Sequence, residues 1–156
     1  LYLSTCHGPV GTTLVFRMLY ELTGEQEYLD WIKRLARGII RAGAPEKNSW
    51  GYWASNCQCC GAPGVLEHFV SVYELTGEEE FLEYAKRTAD VLVGDSQLLD
   101  GKRRWMSAWN RPTPEVVKSF TGFYVGSAGG SSSLLKLYSA LENKPFTDIF
   151  EYIYFD

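Results

Sequence analysis

One pattern occurs twice in this chain and governs every other reading of it. Cys6–Gly11 reads CHGPVG and Cys59–Gly64 reads CCGAPG, and YELTGE begins nine residues after the last glycine of each. An offset of 53 residues lays one segment over the other. Tyr20 then falls on Tyr73, Gly24 on Gly77, Lys33 on Lys86 and Arg34 on Arg87. Upstream, Cys6 falls on Cys59, His7 on Cys60 and Gly8 on Gly61. A third, weaker copy begins at YVGSAGG. There Gly126 and Gly129 take the glycine positions and Tyr138 the tyrosine, with Tyr124 and Val125 in place of the cysteine pair. The scaffold repeats three times and the cysteine twice. A repeat of this length is one supersecondary unit that stacks on its neighbours.

Each unit reads as a helical hairpin. Leu14, Val15, Met18, Leu19 and Leu22 recur at helical spacing, and Gly24 stands where a helix ends in a tight turn. Tyr28, Leu29, Ile32, Leu35, Ala36 and Ile39 form a second apolar stripe, matched in the next copy by Phe81, Leu82, Ala85, Ala89 and Leu92. The expected hairpins span 4–41, 57–94 and 122–156 of a single domain over 1–156. The connections between them are long. The second carries RRWMSAWNRP, with room for a short strand or strand pair, and Pro112 and Pro114 break any helix there. The fold class is all-α: helical hairpin repeats forming part of an α/α toroid.

The cysteines precede a Gly-x-x-Gly at two helix starts. Glycines there let backbones approach closely. With these ends turned toward the centre of a ring, Cys6 and Cys59 converge. Small residues for packing alone explain the third copy, which has no cysteine. Among the four cysteines, Cys57, Cys59 and Cys60 fall within four residues. They read either as reduced, buried thiols or as a metal site. His7 is open to a role as a ligand in place of Cys60 or as a proton donor. His68 aligns with Val15 and reads as a core or groove histidine.

Composition excludes several classes. At 156 residues, 46% hydrophobic and 15% aromatic, the chain has the makings of a core and not of disorder. A formal charge of −4 gives no footprint for nucleic acid, and no apolar run approaches a membrane span. No secretory leader is visible, so the setting expected is cytoplasmic, where thiols stay reduced. The opening LYLSTCHG reads as the middle of something longer, and a fragment is expected.

These residues resemble the lanthionine synthetase C-like family, cyclases that make thioether rings in peptides, and their relatives. Cys6-His7-Gly8-Pro9-Val10-Gly11 is similar to the family's Trp-Cys-x-Gly-x-x-Gly motif, with Thr5 where Trp is usual. Cys59-Cys60-Gly61-Ala62-Pro63-Gly64 is similar to its Cys-His-Gly-x-x-Gly, with Cys60 in place of His, and GFYVGSAGG resembles the terminal repeat. The likeness runs from Ser4 to about Leu141 and matches the C-terminal part of a toroid that has more hairpins in full. It implies zinc (Zn2+) on Cys6, Cys59 and Cys60, with a fourth place open for a peptide or glutathione thiol. The family's acid–base Asp and His come from earlier repeats. Its Arg, four residues before the first metal cysteine, is Tyr2 here.

The function expected is zinc-dependent thiol activation, adding a thiolate to a dehydroamino acid. Two alternatives stand beside it. One is a non-catalytic, zinc-stabilised helical module that binds peptides, with Cys57 completing a closed site. The other is an α/α-barrel carbohydrate enzyme, an epimerase or hydrolase, which needs paired carboxylates or histidines at the hub. Trp50, Trp53, Trp105 and Trp109 either wall a cleft or anchor the long loops. Lys102, Arg103, Arg104 and Arg111 read first as a solvated loop.

Overall fold

A computed structural model describes residues 2–47, 55–108, 113 and 115–147. Five helices dominate these residues: α1 (Pro9–Thr23), α2 (Gln26–Arg41), α3 (Ala62–Thr76), α4 (Glu79–Gly94) and α5 (Ser127–Leu141). Four short strands lie between α4 and α5: β1 (Gln97–Leu99), β2 (Lys102–Arg104), β3 (Met106–Ala108) and β4 (Val117–Ser119). The fold is all-α with small strand pairs, as the periodicity predicts. A second helix of the third hairpin would fall on 148–156, outside the described residues.

The repeated YELTGE is a helix stop and a helix start written together. Gly24 and Gly77 close α1 and α3 at φ 70 and 69, a left-handed conformation that glycine adopts without a Cβ penalty. Their N–H groups donate to the carbonyls of Tyr20 and Tyr73 at 2.8 and 2.7 Å. The preceding threonines have the same wiring in both copies. Each hydroxyl donates to the carbonyl four residues back, and Thr23 and Thr76 Oγ1 each accept the N–H of the next glutamate at 3.2 Å. Those glutamates, Glu25 and Glu78, cap α2 and α4. Negative charge is favoured at a helix N-terminus, so the acidic residue suits its place.

The helices bury different shares of their surfaces. α3 is buried on several sides, from Ala62 to Val72, and packs along both α4 and α5. α2 and α4 bury one stripe each: Leu29, Ile32, Ala36 and Ile39, and Phe81, Leu82, Ala85, Thr88, Ala89 and Leu92. α1 departs from the expectation drawn from its periodicity. It packs mainly on α2 and buries only Val10 and Thr13. Its apolar stripe is open: Leu14, Val15, Met18 and Leu22 are 44, 58, 45 and 79% exposed. The stripe is truly helical, but among the described residues no element covers it.

Between the hairpins, ion pairs tie outer helices together. Glu78 accepts from Lys33 at 2.9 Å and from Arg37 at 2.5 Å, and Arg37 also reaches Glu80 at 3.0 Å. The hydrogen bond from Lys33, with the charge of Arg37 beside it, holds the Glu78 carboxyl below the usual carboxylate range. Lys33 is thus half-buried. The strands form two antiparallel pairs, β1 with β2 and β3 with β4. Trp105 lies between β2 and β3 and is buried. Its indole N–H donates to the Leu92 carbonyl at 2.6 Å, and its ring lies against Gly130. Trp105 therefore anchors the loop to the helices. Trp50, Trp53, Trp109 and Arg111 lie outside the described residues.

Candidate metal centre

The Gly-x-x-Gly has a geometric cause common to all three repeats. The loop before each helix coils so that its carbonyls press on the helix start. The first glycine of each motif (Gly8, Gly61, Gly126) abuts the carbonyl of the residue six before it (Tyr2, Ser55, Phe120). The second (Gly11, Gly64, Gly129) abuts the carbonyls of Thr5, Gln58 and Phe123, again six before. A Cβ at any of these places would stand less than 3.0 Å from a backbone atom. The same loop residue also reaches the next repeat. Thr5 Oγ1 lies 3.4 Å from where a Cβ on Gly64 would be, and Gln58 Cβ lies 2.9 Å from one on Gly129. The first two loops are thus each clasped by their own helix and by the first helix of the next repeat.

This clasp brings the cysteines together. Cys6 lies in the turn before α1, and Cys59 and Cys60 lie in the equivalent turn before α3. Their Sγ atoms all lie within 4.8 Å of one another, and among the described residues they are the group of metal-ligating side chains that converges. Cys59 and Cys60 Sγ are 3.3 Å apart. Cys6 is exposed, and Cys59 and Cys60 are half-buried. Three sulfurs on one tetrahedral zinc would stand about 3.8 Å apart, from Zn–S bonds of about 2.3 Å. The spacing of the three thiols fits such an ion with small adjustments.

Charge points the same way. Burial, reinforced by the neighbouring thiols, pushes the Cys59 pKa far above its ordinary value. Burial likewise pushes Cys60 up to about 11, with Cys57 and Cys6 adding to the shift and the hydrogen bond with Cys59 opposing it. Thiols crowded like this do not ionise together at neutral pH unless a cation joins them. The donor set is therefore suited to a thiophilic divalent ion.

The other candidates separate. His7 is exposed, its ring 5.7 Å from that of Tyr2, and it is not one of the converging groups. Cys57 is buried, accepts a hydrogen bond from Ser55 Oγ at 2.9 Å, and lies 3.8 Å from Cys59 Sγ, but it does not belong to the mutually close set. His68 is buried in α3, its Nε2 has no hydrogen-bond partner, and burial pushes its pKa down to about 4. Lys102 and Arg103 are exposed on β2, and Arg103 donates to Ser96 Oγ at 2.6 Å.

A groove of about 340 Å³ runs between α1 and α3. Leu14, Val15 and Met18 form one wall, His68 and Ser71 the other, and Cys59 belongs to the lining. The residues that sequence reasoning overlooked are Gln58, Glu67 and Ser133. Gln58 Nε2 donates to Glu67, and Ser133 Oγ donates to Gln58 Oε1 at 2.8 Å. One signal was available: Ser133 belongs to a run of serines inside an otherwise apolar helix, where a buried hydroxyl needs a partner.

The profile of the family described as lanthionine synthetase C-like protein matches residues 6–151. A comparison with curated proteins finds no match. No helix among the described residues is long and apolar enough to cross a membrane.

Proposed function

Because the chain belongs to the lanthionine synthetase C-like family, we propose that its three clustered thiols hold zinc and that the site activates a thiol for thioether formation. The observation that carries this is the meeting of Cys6, Cys59 and Cys60 Sγ within 4.8 Å, from two different repeats. Bound there, zinc would supply an open fourth position at which a substrate thiol is held as its thiolate near neutral pH. The substrate proposed is a peptide cysteine or glutathione, and the acceptor a dehydroalanine or dehydrobutyrine side chain. A carbon–sulfur bond forms at the acceptor Cβ, and Cα takes up the proton the thiol gave up. The setting proposed is the cytoplasm, where thiols stay reduced.

The chain's own residues have separable parts in this. Cys6, Cys59 and Cys60 furnish the ligands. The groove offers the apolar side chains of Leu14, Val15 and Met18 to the residues that flank a reacting thiol or acceptor, beside Cys59. His68 stays neutral at physiological pH, so the α3 wall of the groove brings no positive charge from it.

Metal content of the purified chain tests this, parent beside Cys59→Ser. One zinc per chain, lost in the variant, supports the reading. A folded, reduced chain that takes up none overturns it.

A second reading has one observation behind it: Cys57 lies 3.8 Å from Cys59, the spacing of two ligands on one ion. A closed four-thiolate site would be structural. Sulfur counting by X-ray absorption separates the two. Loss of one sulfur in Cys57→Ser favours the closed site, and gain of one on adding glutathione favours the open one.

A further inference from the structure

The third repeat has no cysteine, yet it grips the loop that carries one. Tyr124, which aligns with Cys59 itself, offers its carbonyl to the Cys59 N–H at 3.2 Å. Gln58, the residue just before Cys59, extends its side chain between α3 and α5. A carboxylate only accepts hydrogen bonds, so Gln58 turns Nε2 toward Glu67 and is left with Oε1 to satisfy. Ser133 of α5 satisfies it at 2.8 Å, with the Gly129 carbonyl of its own helix as the longer alternative acceptor at 3.1 Å. Ser133 is fully buried and Gln58 is 4% exposed. The backbone of Gln58 is pinned as well. Its carbonyl oxygen lies closer than 3.0 Å to the place a Cβ would take on Gly64, and its Cβ lies 2.9 Å from the place one would take on Gly129.

A buried polar network whose members are all paired holds one geometry, and removing one partner leaves the others unsatisfied. Here that geometry belongs to the peptide unit joined to Cys59. We propose that Gln58 and Ser133 are positioning residues for Cys59: the cysteine-free repeat sets where that sulfur stands relative to Cys6 and Cys60. This rests on the three-thiol metal reading above. Groups that orient metal ligands from behind typically change metal affinity about ten- to a hundredfold when removed.

Ser133→Ala and Gln58→Met test the role in the full chain, the second keeping side-chain length while losing the amide. Thr88→Val is the control. It removes an equally buried hydroxyl, one that bonds within its own helix to the Tyr84 carbonyl at 2.7 Å. Two quantities are read: zinc affinity by competition with a chromophoric chelator, and exchange of the Cys59 amide hydrogen in zinc-free protein. The zinc Kd rises about tenfold or more in both test variants, and the Cys59 amide exchanges about tenfold faster. Thr88→Val leaves both within about twofold of the parent. Parent-like values in Ser133→Ala and Gln58→Met overturn the positioning role, as does an equal loss in Thr88→Val. Weaker zinc binding without faster exchange at Cys59 overturns it too, since the network would then not be what holds the loop. A parent that takes up no zinc overturns the metal reading and the ligand-positioning role with it. A zinc-binding parent with unaffected variants overturns only the latter.

Discussion

The carbonyl oxygen of Gln58 lies closer than 3.0 Å to where a Cβ on Gly64 would stand. The helix start and the cysteine loop therefore share one volume, and a methyl group on the glycine can enter only if the backbone before Cys59 moves.

Gly64→Ala should accordingly destabilise the protein by about 1–3 kcal/mol or more, the range for overpacking against atoms that cannot rotate away. Gly38→Ala is the contrast. Gly38 lies inside α2, and a Cβ there meets nothing closer than Arg41 Nη2 at 4.0 Å. It should stabilise by about 0.5–1 kcal/mol through helix propensity. Urea midpoints of the two variants check the sign of each effect.

His68 predicts a specific acid sensitivity. Its folded pKa of about 4 lies below the ordinary 6.5 because burial disfavours the imidazolium. Protonation is thus favoured on unfolding. The stability is fully present above pH 6.5 and is lost as pH falls toward 4, by about 3 kcal/mol at the lower value. His68→Val, which installs the residue found at the aligned position Val15, should flatten the dependence between those pH values. Urea unfolding of both proteins across that interval reads it, and an unchanged slope in the variant would count against the assignment.

Cys60 gives the proposed centre a charge that a histidine would not. Three thiolates with Zn2+ sum to −1, and a bound substrate thiolate adds another negative charge. More negative charge makes that thiolate less tightly held and more nucleophilic. Cys60→His should keep zinc and slow alkylation of the bound thiol several-fold. Single-turnover alkylation of the zinc-loaded proteins measures it, and an equal or faster rate in the variant contradicts the charge argument.

The uncovered stripe on α1 predicts association. Leu14, Val15, Met18 and Leu22 are adjacent on one helix face and largely exposed, and contiguous apolar surface seeks cover. Sedimentation of the parent should depend on concentration. Val15→Lys combined with Leu22→Lys should reduce that dependence and shift the unfolding midpoint little, since exposed substitutions usually stay within about 0.5 kcal/mol. Unchanged association in the double variant would place the contact elsewhere.

Much of the candidate centre was legible because its signals are local and repeated. Cys6 and Cys59 align, so whatever the repeat does with one it does with the other. Cys60 follows by chain adjacency, and YELTGE spells out a left-handed glycine stop and the next cap without reference to any neighbour. What the motif left unsaid is why its glycines stand three apart. That reason is the carbonyl six residues back pressing on each, a close approach that no periodicity records.

The sequence by itself determined the hairpins, their turns and the pair of cysteine-bearing helix starts, because hydrogen-bonding patterns and helical period are properties of consecutive residues. Only the tertiary structure decided which faces are covered and what holds the cysteine loop. Val15 and His68 occupy the same position in two repeats, yet one is exposed and the other buried. The difference lies in what packs against α1 and α3, not in the residues themselves. Gln58 and Ser133 are 75 residues apart and of types common in loops and on surfaces. They became partners because α5 packs on α3, which sets the Ser133 hydroxyl against the Gln58 Oε1 that Glu67 cannot satisfy.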